Sequence, residues 1–157
     1  MLLPEIPQPD HQNTMSAYDF KKYFTLEEAV TWLPWVMEQL KQAHVEMQEL
    51  RDAAILSKRL VLARQSSGRK TSDAEVVALQ ERFEAFEEAL GRWVEKFGQQ
   101  GILLRDVDTG LIDFPYKAES TGEDYFLCWR LHEDGIFYFH GVNEGFAGRH
   151  PITLLPE

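Results

Sequence analysis

Apolar residues recur at steps of three and four from Leu26 to Phe97 and at steps of two after Gln100. The chain thus divides into a helical half and a strand half. In the first stretch Leu26, Val30, Leu33, Met37, Leu40, Met47, Leu50 and Ala54 form one stripe. Thr25 followed by Glu28 has the spacing of a capping box and predicts the helix start. Pro34 removes one backbone hydrogen bond, but the stripe continues in phase, so a kink is expected rather than an end. The pattern loosens after Arg51, and the helix is expected to reach Gln65. The stretch SSGRKTS then reads as a loop. Ser72 and Glu75 make a second capping box, after which Val76, Leu79, Phe83, Phe86, Leu90, Trp93 and Phe97 alternate steps of three and four. Gly98 is a candidate C-cap. The two helices are expected to form an antiparallel hairpin with coiled-coil-like packing, the aromatic stripe being its core.

Three strand-like segments follow: LIDFPYK, YFLCWRL and IFYFHGV. Asp134-Gly135 between the last two has the chemistry of a two-residue hairpin turn. That turn would pair Trp129 with His140 and Leu131 with Tyr138. One face would then carry Leu127, Trp129, Leu131, Ile136, Tyr138, His140 and Val142. The other would carry Phe126, Cys128, Arg130, His132, Phe137 and Phe139. Both faces are apolar, so one is free to pack on the hairpin. The other needs a terminal segment or another subunit as cover.

Composition narrows the partners. The chain of 157 residues has 26 acidic and 16 basic side chains and a formal net charge of −10. This argues against a nucleic acid or an anionic membrane surface as partner. The imbalance is strongest from Gly101 onward, with four basic against ten acidic residues. Cys128 is the single cysteine, which excludes an internal disulfide and a multi-thiolate zinc site and fits a reducing cytoplasm. The N-terminal stretch, with prolines at 4, 7 and 9, has no signal-peptide or membrane-anchor pattern and reads as a poorly ordered extension.

Candidate chemistry concentrates in the strand half. Asp106 and Asp108 precede the Thr109-Gly110 turn, where short acidic side chains bond their own backbone. Asp113 stands mid-strand, where aspartate is disfavoured. Pro115 two residues on implies an edge or a bulge. Asp113 is therefore solvated or held by Arg149, Arg130 or His140. Arg149, set by Gly141, Gly145 and Gly148, is placed to bridge a carboxylate such as Asp113 or to bind an anion. A metal reading would need Asp113 and His140 with Glu133 or Glu144. In the expected register Cys128 and His140 point to opposite faces, which disfavours a Cys–His pair. His44, on the helical stripe, reads as a core histidine with one satisfied hydrogen bond. No serine sits in an elbow motif, Cys128 reads as an inert buried thiol, and no catalytic residue, metal set or cofactor is assigned.

Three segments, KYFTLEEAVTWLP, DVDTGLIDFP and LCWRL followed by FHGVNEGFAGRHP, together resemble the bacterial family known as domain of unknown function 2203. The resemblance covers Tyr23 to Ile152. Its pattern runs through Gly110-Leu111, Asp113-Phe114-Pro115, Cys128-Trp129-Arg130-Leu131, Glu133, His140, Gly145-Phe146 and Gly148-Arg149. This chain departs from it at His132 and Asp134, where the family usually has Gly and Pro, at Phe139 in place of Trp, and at Asn143-Glu144. The resemblance implies a shared polar set of Asp113, Glu133, His140 and Arg149, and no activity.

The expected fold is α+β: an extension at 1–22, then one domain at 23–157. That domain holds a long helical hairpin at 25–98 and a small antiparallel sheet of about three strands within 102–157. The expected function is a non-enzymatic interaction or scaffold module that self-associates as a homodimer or binds another protein. The alternative is a small-ligand or metal site at Asp113, Glu133, His140 and Arg149 beside Trp129, which leaves an enzyme open.

Overall fold

The computed structural model describes residues 20–157. The expected N-terminal extension lies, up to residue 19, outside the described residues. Helix α1, Leu26–Ser66, opens on Thr25. The Thr25 hydroxyl accepts from the Glu28 N–H, and the Glu28 carboxylate accepts from the Thr25 N–H, each at 3.1 Å. Helix α2, Asp73–Gln99, opens on the same reciprocal cap at Ser72 and Glu75. These caps satisfy backbone donors that a helix start leaves unpaired. α1 runs through Pro34 as one continuous helix. α2 gives way to Gly101, whose φ of +77° turns the chain toward the sheet.

The seam between the helices is graded. Near the sheet, Leu33, Val36, Leu40, Ala43 and Met47 of α1 are buried with Ala89, Trp93 and Phe97 of α2. Farther out it opens. α1 has no buried residue after Ala54, and α2 has none before Ala89. Val76 and Phe83, which periodicity assigns to the core stripe, are 50% and 45% exposed. Two helices alone shield only their line of contact, and the sheet covers only the proximal half. The distal part of α1, Ile55 to Ser66, reaches about 18 Å at 1.5 Å per residue. It forms, with the start of α2, an arm projecting beyond the core.

The sheet has five strands rather than three: β1 Leu103–Asp106, β2 Leu111–Lys117, β3 Asp124–Arg130, β4 Tyr138–Gly141 and β5 His150–Pro151. They lie in chain order and pair antiparallel throughout. β1 and β5 are too short for a period-two signal to stand out. Leu104, Ile112, Phe114, Leu127, Trp129 and Phe139 join the helical core. Asp113, Phe126, Cys128, Tyr138 and His140 alternate with them and occupy the outer face. Pro115 lies past the end of β1, where β2 is an edge, and its carbonyl accepts from the Phe24 N–H at 2.7 Å. Phe20 stacks edge-on against Phe126, 5.3 Å between centroids, and covers part of the outer face.

The β3–β4 register differs from the expected one. Phe126, not Trp129, pairs with His140, and Cys128 pairs with Tyr138. The chain does not turn at Asp134-Gly135. It turns at Arg130 to Glu133, where the Glu133 N–H donates to the Arg130 carbonyl at 3.0 Å. His132 takes the left-handed conformation there, with φ +80°, and Gly135 does not have positive φ. The Trp129 indole N–H pins the turn by donating to the Glu133 carbonyl at 3.1 Å. An odd shift in register exchanges the faces of β4 relative to β3. Phe139 therefore enters the core opposite Leu127, and His140 comes to the same face as Cys128.

Candidate functional site

Three neighbouring strands bring Asp113, Cys128 and His140 together on the outer face. They are 3%, 0% and 4% exposed. His140 Nε2 lies 3.0 Å from Asp113 Oδ1, and its Nδ1 lies 2.9 Å from the carbonyl of Gly141. Both ring nitrogens thus face acceptors, and a doubly protonated imidazolium satisfies both. Burial works against that charge. The hydrogen bonds to Asp113 and the Cys128 thiol, the Asp113 charge and the Gly141 carbonyl outweigh it, and the imidazole pKa is pushed up to about 10. Asp113 has a second cation. Arg105 donates from Nε to Oδ2 at 2.9 Å. Arg105 sits at the irregular step of β1, between Leu104 and Asp106, and its guanidinium rests 4.9 Å over the Phe126 ring.

A second ion pair borders this cluster. Arg149 Nη1 donates to Glu133 Oε1 at 2.8 Å, and Glu133 Oε2 accepts from the Arg130 N–H at 2.8 Å. Arg149 is held by Tyr138 and Phe146, each ring centre 4.1 Å from the guanidinium carbon. Burial disfavours the Arg149 charge, but Glu133 and the adjacent Cys128 more than offset it and raise its pKa. The Cys128 thiol therefore lies between His140 on one side and Arg149 on the other.

The structure brings Asp113 to His140 and Glu133 to Arg149, as two pairs rather than one cluster of four. Arg149 is paired with Glu133, and the arginine on Asp113 is Arg105, which alternation in a four-residue strand did not reveal. Trp129 lies on the opposite, helix-facing side, fully buried. Cys128, placed across the sheet from His140 by the expected turn, is its neighbour. The two aspartates before the Thr109-Gly110 turn have structural partners. Asp106 caps its own turn by accepting from the Asp108 N–H and the Thr109 hydroxyl. Asp108 binds Arg51 of α1 at 2.8 and 2.9 Å. His44 bonds the Val107 carbonyl through Nε2. These contacts dock the β1–β2 turn on α1 and place it outside the site.

The arrangement constrains the chemistry. An imidazolium that holds its proton through neutral pH cannot act as general base toward Cys128. With Nδ1 bound to Gly141, the nitrogen left for both Asp113 and Cys128 is Nε2. A nucleophile relay instead places nucleophile and orienting carboxylate on different nitrogens. An oxygen, a sulfur and a nitrogen donor within 4.8 Å of one another are atom types that ligate a metal ion. Among the described residues no helix is long and apolar enough to cross a membrane.

No curated protein and no solved structure matches the chain significantly. A family model described as an uncharacterised conserved protein does match, over residues 22–152. It spans both helices, the strands through β5 and every residue of the polar cluster, and on that match the chain belongs to the DUF2203 family.

Proposed function

We propose that this is a non-enzymatic, self-associating interaction module of the cytoplasm. Its helical arm packs against the arm of a second copy. The observation that carries the reading is the apolar surface the arm leaves open. Ile55, Leu56, Leu60 and Leu62 on α1, with Val76, Val77 and Phe83 on α2, are each between 42% and 60% exposed. Ile55 to Leu62 and Val76 to Phe83 are each one heptad apart, the spacing of a seam that faces another helix. Large apolar side chains exposed together on one arm mark an interaction surface.

Charge favours a second copy as the occupant. The arm of α1 carries Lys58, Arg59 and Arg64, and the arm of α2 carries Asp73, Glu75, Glu81 and Glu84 against one basic residue, Arg82. A two-fold pairing that lays α1 of one copy against α2 of the other buries both apolar stripes and sets basic against acidic flanks. Within one chain Arg64 already pairs with Glu75 in this sense. The result is a four-helix bundle at the arms, with two sheets at the outside.

Size-exclusion chromatography with light scattering tests this on the full chain. A dimer at micromolar concentration is expected, reduced to monomer by Leu60→Glu with Val76→Glu. A wild-type chain that stays strictly monomeric would overturn the reading. So would a dimer untouched by the paired substitution while the helical circular dichroism is retained.

A further inference from the structure

We infer that Asp113, Cys128 and His140 form a binding site for a divalent transition-metal ion of the zinc class. Each residue comes from a different strand and offers one donor atom, and the three atoms lie within 4.8 Å of one another. Ligands about 2.0–2.3 Å from a tetrahedral metal sit about 3.5 Å apart, so small rotamer changes close the set around an ion. The ion pair of Asp113 and His140 needs no third member. The buried thiol completes a mixed oxygen, nitrogen and sulfur set.

The surroundings fit. His140 Nδ1 is fixed on the Gly141 carbonyl at 2.9 Å, which orients the ring and turns Nε2 inward. A metal-bound histidine commonly gives its other nitrogen to such a partner. Arg105 binds Oδ2 of Asp113 at 2.9 Å and leaves Oδ1 for the ion. Arg149 lies against the sulfur, and its hydrogen bond to Cys128 is one of the contacts that hold the guanidinium there. A divalent ion with one carboxylate and one thiolate is a neutral unit, so its burial isolates no net charge. Sulfur selects against magnesium and calcium, and the imidazole with it suits zinc, cobalt or nickel. On binding, the metal replaces the proton of Nε2 and that of the thiol, and both are released to solvent. Three protein ligands leave a fourth coordination position.

The test is cobalt(II) titration of the full chain after dialysis against chelator, followed by native mass spectrometry with zinc(II). One equivalent per chain is expected. With it should come the thiolate-to-cobalt charge-transfer absorption and the intense visible bands of tetrahedral cobalt. Cys128→Ser should lose the charge-transfer absorption, and His150→Ala, outside the cluster, should keep it. The wild-type titration decides even if a variant fails to fold. No stoichiometric cobalt and no charge-transfer absorption in wild type would overturn the site, leaving the cluster an ion pair with a buried thiol. Binding with unchanged spectra in folded Cys128→Ser would overturn it equally, placing the metal elsewhere.

Discussion

Asp113 and His140 meet at 3.0 Å although they lie on β2 and β4, with β3 between them. Asp113 pairs with Cys128 and His140 with Phe126, so the two side chains lean toward each other across the surface of β3. Removing one partner strands a buried charge on the other. Breaking a buried pair in this way costs about 3–5 kcal/mol. Asp113→Ala is expected to lower the unfolding free energy in urea by that amount. The double variant with His140→Ala should cost less than the two single losses together. Strictly additive losses would show that the two residues do not act as a pair.

Arg149 tests the neighbouring contact. A lysine there keeps the charge but cannot lie flat between Tyr138 and Phe146. Arg149→Lys should therefore cost about 1–2 kcal/mol, the scale of a desolvated cation–π contact. Glu133→Gln keeps the shape of the side chain and removes its charge. Urea denaturation of both variants compares the two contributions, and an Arg149→Lys chain as stable as wild type would show that the stacking contributes nothing.

The turn after β3 holds a residue against its preference. His132 has φ +80°, a region that costs a residue with a Cβ about 1–2 kcal/mol. His132→Gly removes that strain at the cost of a more flexible unfolded chain. The melting temperature is expected to rise by about 2–4 °C for each 1 kcal/mol gained. Gly110→Ala is the opposing control. Gly110 has φ +64°, and an added Cβ would lie 2.6 Å from the Leu131 Cβ, so the melting temperature should fall. A His132→Gly variant that melts lower than wild type would remove the strain argument.

That same turn separates what was legible in the sequence from what was not. Both capping boxes, the helical hairpin, and the alternation of Asp113 against Ile112 and Phe114 follow from local chemistry, and local chemistry is written in adjacent residues. Asp134-Gly135 is also good turn chemistry, but a histidine accepted positive φ three residues earlier because Trp129 and Glu133 pin the turn there. One odd step in register then exchanged the faces of β4. Arg105 was hidden for a related reason, since an irregular step in a four-residue strand carries no periodic signal. The stripe on α2 predicted a buried seam along its whole length, yet burial depends on how far the sheet reaches, and periodicity does not record that.

Glu46 of α1 links the helices and sets a pH dependence. Its carboxylate accepts from Arg92 at 2.6 Å and from the Trp93 indole at 2.8 Å. The Arg92 hydrogen bond lowers its pKa from the ordinary 4.5, burial opposes this, and the Trp93 bond and the Arg92 charge add to the lowering. A carboxyl with a depressed folded pKa contributes stability above its unfolded pKa, because folding then favours the charged form. The contribution is lost as pH falls through the folded value, once both states are protonated. Glu46→Gln should therefore be less stable than wild type at neutral pH, and the gap should shrink as pH drops below the ordinary carboxylate range of about 4. Melting temperatures of the two chains from neutral to strongly acidic pH measure this. A gap that stays constant to the acid limit would show that the Glu46 charge contributes nothing to joining α1 and α2.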